Sequence, residues 1–154
     1  MAIHETYGSY GFLGLVLTTA RFETKKAFRR HCISCGRCKK NCPGSVLGQQ
    51  DRVYHTCISW LTQKKSLSSD DEVKIEGAGM VYGCDECQKV CPYNEGLVDT
   101  DIDDFKTDLI GVLRSQDLKI YSNRSFRKAY GRRTFAWRGK QVLERNIDII
   151  EGKK

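Results

Sequence analysis

The chain has no long apolar run. Its longest, Phe12 to Leu17, falls far short of the roughly 18 residues that a membrane-spanning helix needs. No basic segment followed by an apolar stretch opens it, so the first ten residues do not read as a secretory signal. Proline is nearly missing, with two residues, and there is no low-complexity segment. The eight cysteines, about 5% of the residues, are too sparse for a disulfide scaffold. The expected address is therefore the reducing cytoplasm, with no membrane partner. There, grouped cysteines bind metal more often than they pair with one another.

What is present is a chain of 154 residues, enough for one compact domain or a small domain with an appendage. The net charge of +7 is unevenly placed. Residues 1–120 carry sixteen basic and sixteen acidic groups and so balance. Residues 121–154 carry ten basic and three acidic groups and hold the whole excess. A polyanion, nucleic acid first, is the natural partner of such a stripe.

Residues 8–20, GSYGFLGLVLTTA, are apolar, partly β-branched and opened by glycines, which predicts a buried strand or a strand–helix join. A polar, basic loop or short helix is expected over 21–31, and a helix over 54–65 with Cys57, Ile58 and Leu61 as its apolar positions. Ser66 to Asp71 reads as a turn and 95–101 as a linker. Ile102, Phe105, Leu109, Ile110 and Leu113 fall at spacings of three and four. They predict an amphipathic helix over 102–113, with Asp103 and Asp104 in a first turn that suits the helix dipole. Two more helices are expected over 125–130 and 134–150, joined at Gly131, with Ser125 and Thr134 as N-caps. Trp137, Val142, Leu143 and Ile147 would form the buried stripe of the last.

All the cysteines lie between residues 32 and 91. Cys32, Cys35, Cys38 and Cys42 form C-x2-C-x2-C-x3-C followed by Pro43, the bacterial signature of a two-cluster iron–sulfur protein. Three thiolates two residues apart on a tight loop can each take one iron of a cubane. The fourth, before a proline, is turned away toward a second cluster. Gly36 leaves room for backbone to approach inorganic sulfide. Cys84, Cys87 and Cys91 followed by Pro92 repeat the motif with one cysteine missing, and Cys57 is the one left to replace it. The assignment is then one cluster on Cys32, Cys35, Cys38 and Cys91 and a second on Cys42, Cys57, Cys84 and Cys87. Each motif's last cysteine crosses to the other cluster. Two zinc sites of four cysteines would use the same residues but are normally built from separated C-x2-C pairs. Four disulfides would conflict with the reducing address.

The three histidines, His4, His31 and His55, stand singly, whereas a Rieske-type ligand set needs a pair; they read as ordinary polar residues. Trp60 and Trp137 read as core rather than redox relays. Asp85 and Glu86, between cluster ligands, read as a solvated helix start.

The order GSYGFLGLVLTT, HCISCGRCKKNCPGSVL, CISWLTQKK, YGCDECQKVCPYN and FRKAYGRRTFAWRGKQVLERN resembles the tRNA epoxyqueuosine reductase family from about Tyr7 to Asn146. The lone Cys57 before ISWLT and the shortened motif GCDECQKVCP are its most specific features. The resemblance implies an oxidoreductase of queuosine biosynthesis in three parts: a cobalamin-binding half, a double-cluster module that takes electrons from a low-potential donor, and helical HEAT-like repeats that grip tRNA. It implies that Arg124, Arg127, Lys128, Arg132, Arg133, Arg138, Lys140 and Arg145 meet tRNA phosphates. The expected fold class is α+β and mostly helical. Residues 1–31 would be an edge of the cobalamin side, with GSYGFLG lining it. Residues 32–95 would form a bacterial ferredoxin-like domain with two 4Fe-4S clusters, and 96–154 a short HEAT-like basic extension. The family's catalytic acid and most of its cobalamin site belong to a half this sequence does not include, so no catalytic residue is assigned and the chain alone is expected to be catalytically incomplete. The competing expectations are a stand-alone ferredoxin-type carrier of two 4Fe-4S clusters and the cluster module of another cobalamin enzyme, such as a reductive dehalogenase.

Overall fold

The structure, a computed structural model, describes residues 3–23, 32–48 and 54–153. Seven α-helices run through the described residues: α1 Arg37–Lys40, α2 Ile58–Leu61, α3 Ser69–Ala78, α4 Glu86–Lys89, α5 Ser115–Lys119, α6 Asn123–Tyr130 and α7 Lys140–Ile150. Single 3-10 turns stand at Tyr54–Thr56, Pro92–Asn94, Asp103–Phe105 and Thr134–Ala136. The described residues are mostly helical, as expected, and contain no strand that would make the fold α+β. Among the described residues the sole β pairing is one antiparallel bridge, His4 to Gly8.

Two small cores share α7. Leu118 of α5, Phe126 of α6 and Leu143 and Ile147 of α7 form one, with Val81, Tyr82 and Tyr130 packed around it. Ile58 and Leu61 of α2 and Ile75 of α3 form the other, backed by Met80, Cys84, Ile149 and Ile150. Helix α7 can serve both because Val142, Leu143, Asn146 and Ile147 make one buried face, while its last turn leans on α3.

Between the cores lies a fully buried amide. Asn146 Nδ2 donates to the carbonyls of Thr62 and Val81, each at 2.8 Å. Its Oδ1 accepts from Arg145 Nε and Nη2 at 3.2 and 2.8 Å. The Thr62 hydroxyl in turn accepts the Gly83 N–H at 3.0 Å and donates to Ser59 O. Two loops that would otherwise bury unpaired carbonyls are thereby satisfied.

Several expected elements differ. Residues 11–23 form neither a strand nor a buried segment: Phe12 is 99% exposed, and no described strand offers ladder partners. The helix expected over 102–113 stops after one 3-10 turn. Asp108 adopts a left-handed φ of 53°, and Phe105 and Leu109 find nothing to pack on and stay exposed. The helix expected over 54–65 breaks at Cys57, whose ψ of 125° is extended and turns its backbone out of the helical path. The expected turn at Ser66–Asp71 instead opens α3. Ser68 Oγ accepts the Asp71 N–H at 3.3 Å and Asp71 Oδ2 accepts the Ser68 N–H at 3.1 Å, a reciprocal cap. Ser122, not Ser125, caps α6, and Thr134 begins a 3-10 turn rather than the last helix. Helix α5, which no expectation covered, has Asp117 accepting the Arg114 N–H at 2.8 Å. Trp60 and Trp137 are not core residues, at 43% and 58% exposed, whereas Val142, Leu143 and Ile147 are buried as expected. His31 and most of 21–31 lie outside the described residues.

Burial alone would push the Asp71 carboxyl up, but hydrogen bonds from Lys64 Nζ, at 2.6 Å, and from Ser68 hold it below the usual carboxylate range. A depressed carboxylate stabilises the fold above its unfolded pKa and loses that contribution as pH falls through the folded one. Replacing Asp71 with Asn should lower stability at pH 7 by about 1 kcal/mol, and the gap to the wild type should close as pH drops below about 4. Melting curves of both proteins across that range check it. Asn146→Ala strands two carbonyls and should cost on the order of 2 kcal/mol, read as a lower urea midpoint at unchanged slope.

Candidate metal centre

The two cysteine motifs fold alike. Helix α1 carries Cys38 and α4 carries Cys87, and the two short helices pack against each other. Each is followed by a cysteine and then a proline. The Cys42 N–H donates to Lys39 O at 3.4 Å, and the Cys91 N–H to Gln88 O at 3.1 Å. Pro92 opens a 3-10 turn at the position where its missing N–H costs nothing. Gly36, at φ 74°, supplies the left-handed residue ahead of α1. Upstream, the Ser34 N–H points at Cys32 Sγ at 3.4 Å.

Cys57 reaches the motifs through a second close approach. Gly44, two residues after Cys42, is buried against the Thr56 carbonyl, and a Cβ built there would stand 2.0 Å from that oxygen. The Thr56 hydroxyl donates back to Gly44 O at 2.9 Å. The segments bearing Cys42 and Cys57 are thus pinned side by side, and only glycine permits it. On the other flank, the Thr62–Gly83 hydrogen bond ties the end of α2 to the residue before Cys84.

The consequence shows in the thiols. Burial pushes the Cys84 thiol up; the Glu86 N–H aimed at it pulls back, and the nearby Cys57 and Cys42 push it up again. Burial also raises the Cys87 thiol, and Cys84, Cys42 and Cys57 add to it. The structure therefore brings Cys42, Cys57, Cys84 and Cys87 within electrostatic reach of one another. Such thiols resist ionising until a cation arrives, so metal uptake there releases protons. Of the other four, Cys91 is buried at 8%, Cys38 is half-buried on α1, and Cys32 and Cys35 are exposed. All eight are free thiols, with no disulfide. Among the described residues no three Cys, His, Asp or Glu side chains converge as single-ion ligands do. Four sulfurs on one zinc crowd within about 4 Å of each other, whereas the thiolates of a cubane each take a separate iron. The donor set suits the cubane.

The remaining candidates sort plainly. His55 is exposed and edge-on to Tyr54. Asp85 and Glu86 do begin a helix, α4, with Glu86 paired to Lys89 at 2.7 Å. Of the basic tail, Arg124, Arg127, Lys128 and Arg132 are exposed. Arg133 stands 3.9 Å from Asp108, and Lys140 pairs with Glu144 at 2.8 Å. Arg138 lies over the Trp137 ring. Arg145 is turned inward: Nη1 donates to Lys64 O and Lys65 O at 2.8 and 2.9 Å, so its guanidinium closes the loop after α2. Sequence reasoning missed Asn146, Thr62 and Gly44. A single polar residue within the apolar face of α7 was the one available signal for Asn146.

Residues 31–94 match the family model described as a 4Fe-4S double cluster binding domain. The molecule is thus a two-cluster iron–sulfur protein with a helical, basic C-terminal region. Epoxyqueuosine reductase of Listeria monocytogenes is 35% identical over 158 residues, covering 97% of this chain and 40% of that protein. The solved epoxyqueuosine reductase of Streptococcus thermophilus superposes with a TM-score of 0.77 at 32% identity, over 98% of this chain and 40% of its own. A crystal structure of an epoxyqueuosine reductase with an epoxyqueuosine-modified tRNA-Tyr stem loop gives 0.73 at 34% identity, over 86% of this chain and 36% of its own. The chain belongs to the epoxyqueuosine reductase family, and spans about two fifths of the length of these relatives.

Cys57→Ala should remove one cluster and so lose about half of the bound iron. Anaerobic reconstitution with iron and sulfide analysis checks it. Unchanged iron would reassign Cys57, and zinc in place of iron would reassign the whole set.

Proposed function

We propose that this chain is the electron-delivering, RNA-gripping portion of an epoxyqueuosine reductase, acting on tRNA in queuosine biosynthesis. Cobalamin would be held mainly by a domain or chain beyond these residues, and a soluble low-potential carrier would supply electrons. When bound, the clusters would supply one-electron transfer at low potential and cobalamin the reductive chemistry.

The chain's own residues do three things in this reading. Cys32, Cys35, Cys38 and Cys91 hold one cluster and Cys42, Cys57, Cys84 and Cys87 the other, each last cysteine crossing over as in bacterial ferredoxins. Support for the second set comes from the mutual influence of its thiols and from the Gly44–Thr56 seam. Residues 1–31 border the cobalamin side. There Ser9 is anchored beside Cys91: its N–H donates to Asn94 Oδ1 at 2.7 Å, and its hydroxyl to Gln88 Oε1 at 3.1 Å. Residues 32–95 form the cluster domain. Residues 96–154 begin a HEAT-like array whose Arg124, Arg127, Lys128, Arg132, Arg133, Arg138 and Lys140 meet tRNA phosphates, while Arg145 serves the fold.

The observation that carries this reading is Asn146. It makes the basic helices and the cluster loops one packed body, so a tRNA held by the tail is held in fixed register with the clusters. A stand-alone electron carrier gives no reason for that junction. Binding of a tRNA anticodon stem loop should weaken steeply with salt, and Arg132→Ala should reduce the log–log slope by about 1. Fluorescence anisotropy from 50 to 300 mM salt checks it; binding that ignores salt, or none, would overturn the tRNA role and leave the clusters intact.

A further inference from the structure

Trp137 is exposed yet rigid. Its indole N–H donates to Gln63 Oε1 at 2.9 Å, and the Arg138 guanidinium carbon sits 3.8 Å from the ring centroid. Gln63 is itself fixed, since its Nε2 donates to Ser59 O at 2.7 Å. Tyr82, whose hydroxyl donates to Thr134 O at 2.9 Å, also reaches Gln63 Oε1. A large aromatic held in place by hydrogen bonds while leaving 58% of its surface in water is not packing a core.

The ring lines a groove of about 420 Å³ between α6 and α7, with Arg127, Arg138 and Lys140 in its walls and no carboxylate among its lining residues. That volume lies in the range of small-ligand clefts. Arg138, one of the lining residues, has its Nε buried without a hydrogen-bond partner, so its guanidinium is left incompletely satisfied within the protein. Flat aromatic, stacked guanidinium and cationic walls together are the elements that proteins use for unpaired nucleotides: the base on the ring, the phosphate on the cations.

We propose that this groove takes one unpaired nucleotide of an RNA, its base stacked against Trp137 and its phosphate held by Arg127 and Arg138. The inference rests on the tRNA reading above and sharpens it from phosphate contact to recognition of a single-stranded loop. Because Trp137 is already oriented by Gln63, little side-chain freedom is lost on binding.

The test compares an RNA stem loop with a blunt, fully paired duplex of equal phosphate number, both titrated against the reconstituted chain. Trp137→Ala should weaken the stem loop about tenfold or more and leave the duplex and the salt slope unchanged. Trp137→Phe, which keeps a stacking face, should restore most of the loss. Trp137 emission, read in a Trp60→Phe background, should change with the stem loop and not with the duplex. Equal loss on both RNAs, or no loss on either, overturns the stacking site while salt-dependent binding of both RNAs would leave the tRNA role standing. Failure of the unsubstituted chain to bind either RNA overturns both.

Discussion

The fold turns on one buried carboxamide. Asn146 donates to a carbonyl just after α2 and to another just before Cys84, and those two places bracket the loops that bring Cys57 and Cys84 together. Neither loop has a strand or a long helix of its own to absorb its backbone groups. A hydrophobic residue at 146 would fill the space and leave both oxygens desolvated, which is why an amide stands in the apolar face of α7. Arg145 beside it caps the same loop from outside, so adjacent residues of the last helix close one structural problem.

The chemistry was more legible in the sequence than the architecture. Spacing of Cys32, Cys35, Cys38 and Cys42 before Pro43 states its ligand chemistry directly, because thiolate reach along a tight loop is a local property. The missing cysteine of the second motif pointed to Cys57 by count, and the structure adds what a count cannot, the Gly44–Thr56 contact that sets the segment bearing Cys57 beside the one bearing Cys42. Local patterns misled where burial depends on distant chain. Ile102 to Leu113 has helical spacing, but only Leu113 reaches the core while Ile102, Phe105, Leu109 and Ile110 stay exposed, and 8–20 has strand composition with no partner among the described residues. The Ser68–Asp71 cap, by contrast, is a local signal that a turn-rich reading of Ser and Asp concealed.

The charge segregation also gains a structural sense. Ten basic groups in the last fifth of the sequence looked uniform, but their roles separate once the side chains are placed. Arg145 is taken up by backbone carbonyls, Lys140 pairs with Glu144 at the edge of the groove, and Arg138 lies on the Trp137 ring with its Nε still unpartnered, while Arg124, Arg127, Lys128 and Arg132 stay in solvent. A cation's position along the chain says little about whether its charge is available; its hydrogen bonds decide that.

One position shows how the two halves were joined. Three residues before Cys84, where the first motif has Cys32 ahead of Cys35, the second motif has Val81. Its side chain packs on the core around Phe126 and Leu143, and its carbonyl is held by Asn146. The residue that breaks the repeat is the residue at which the helical region attaches. A symmetric pair of motifs would present a sulfur at that site and no apolar foothold. The inequality of the two halves is thus the hinge pin of the assembly: an apolar residue where the repeat would have a cysteine gives the helical region its foothold.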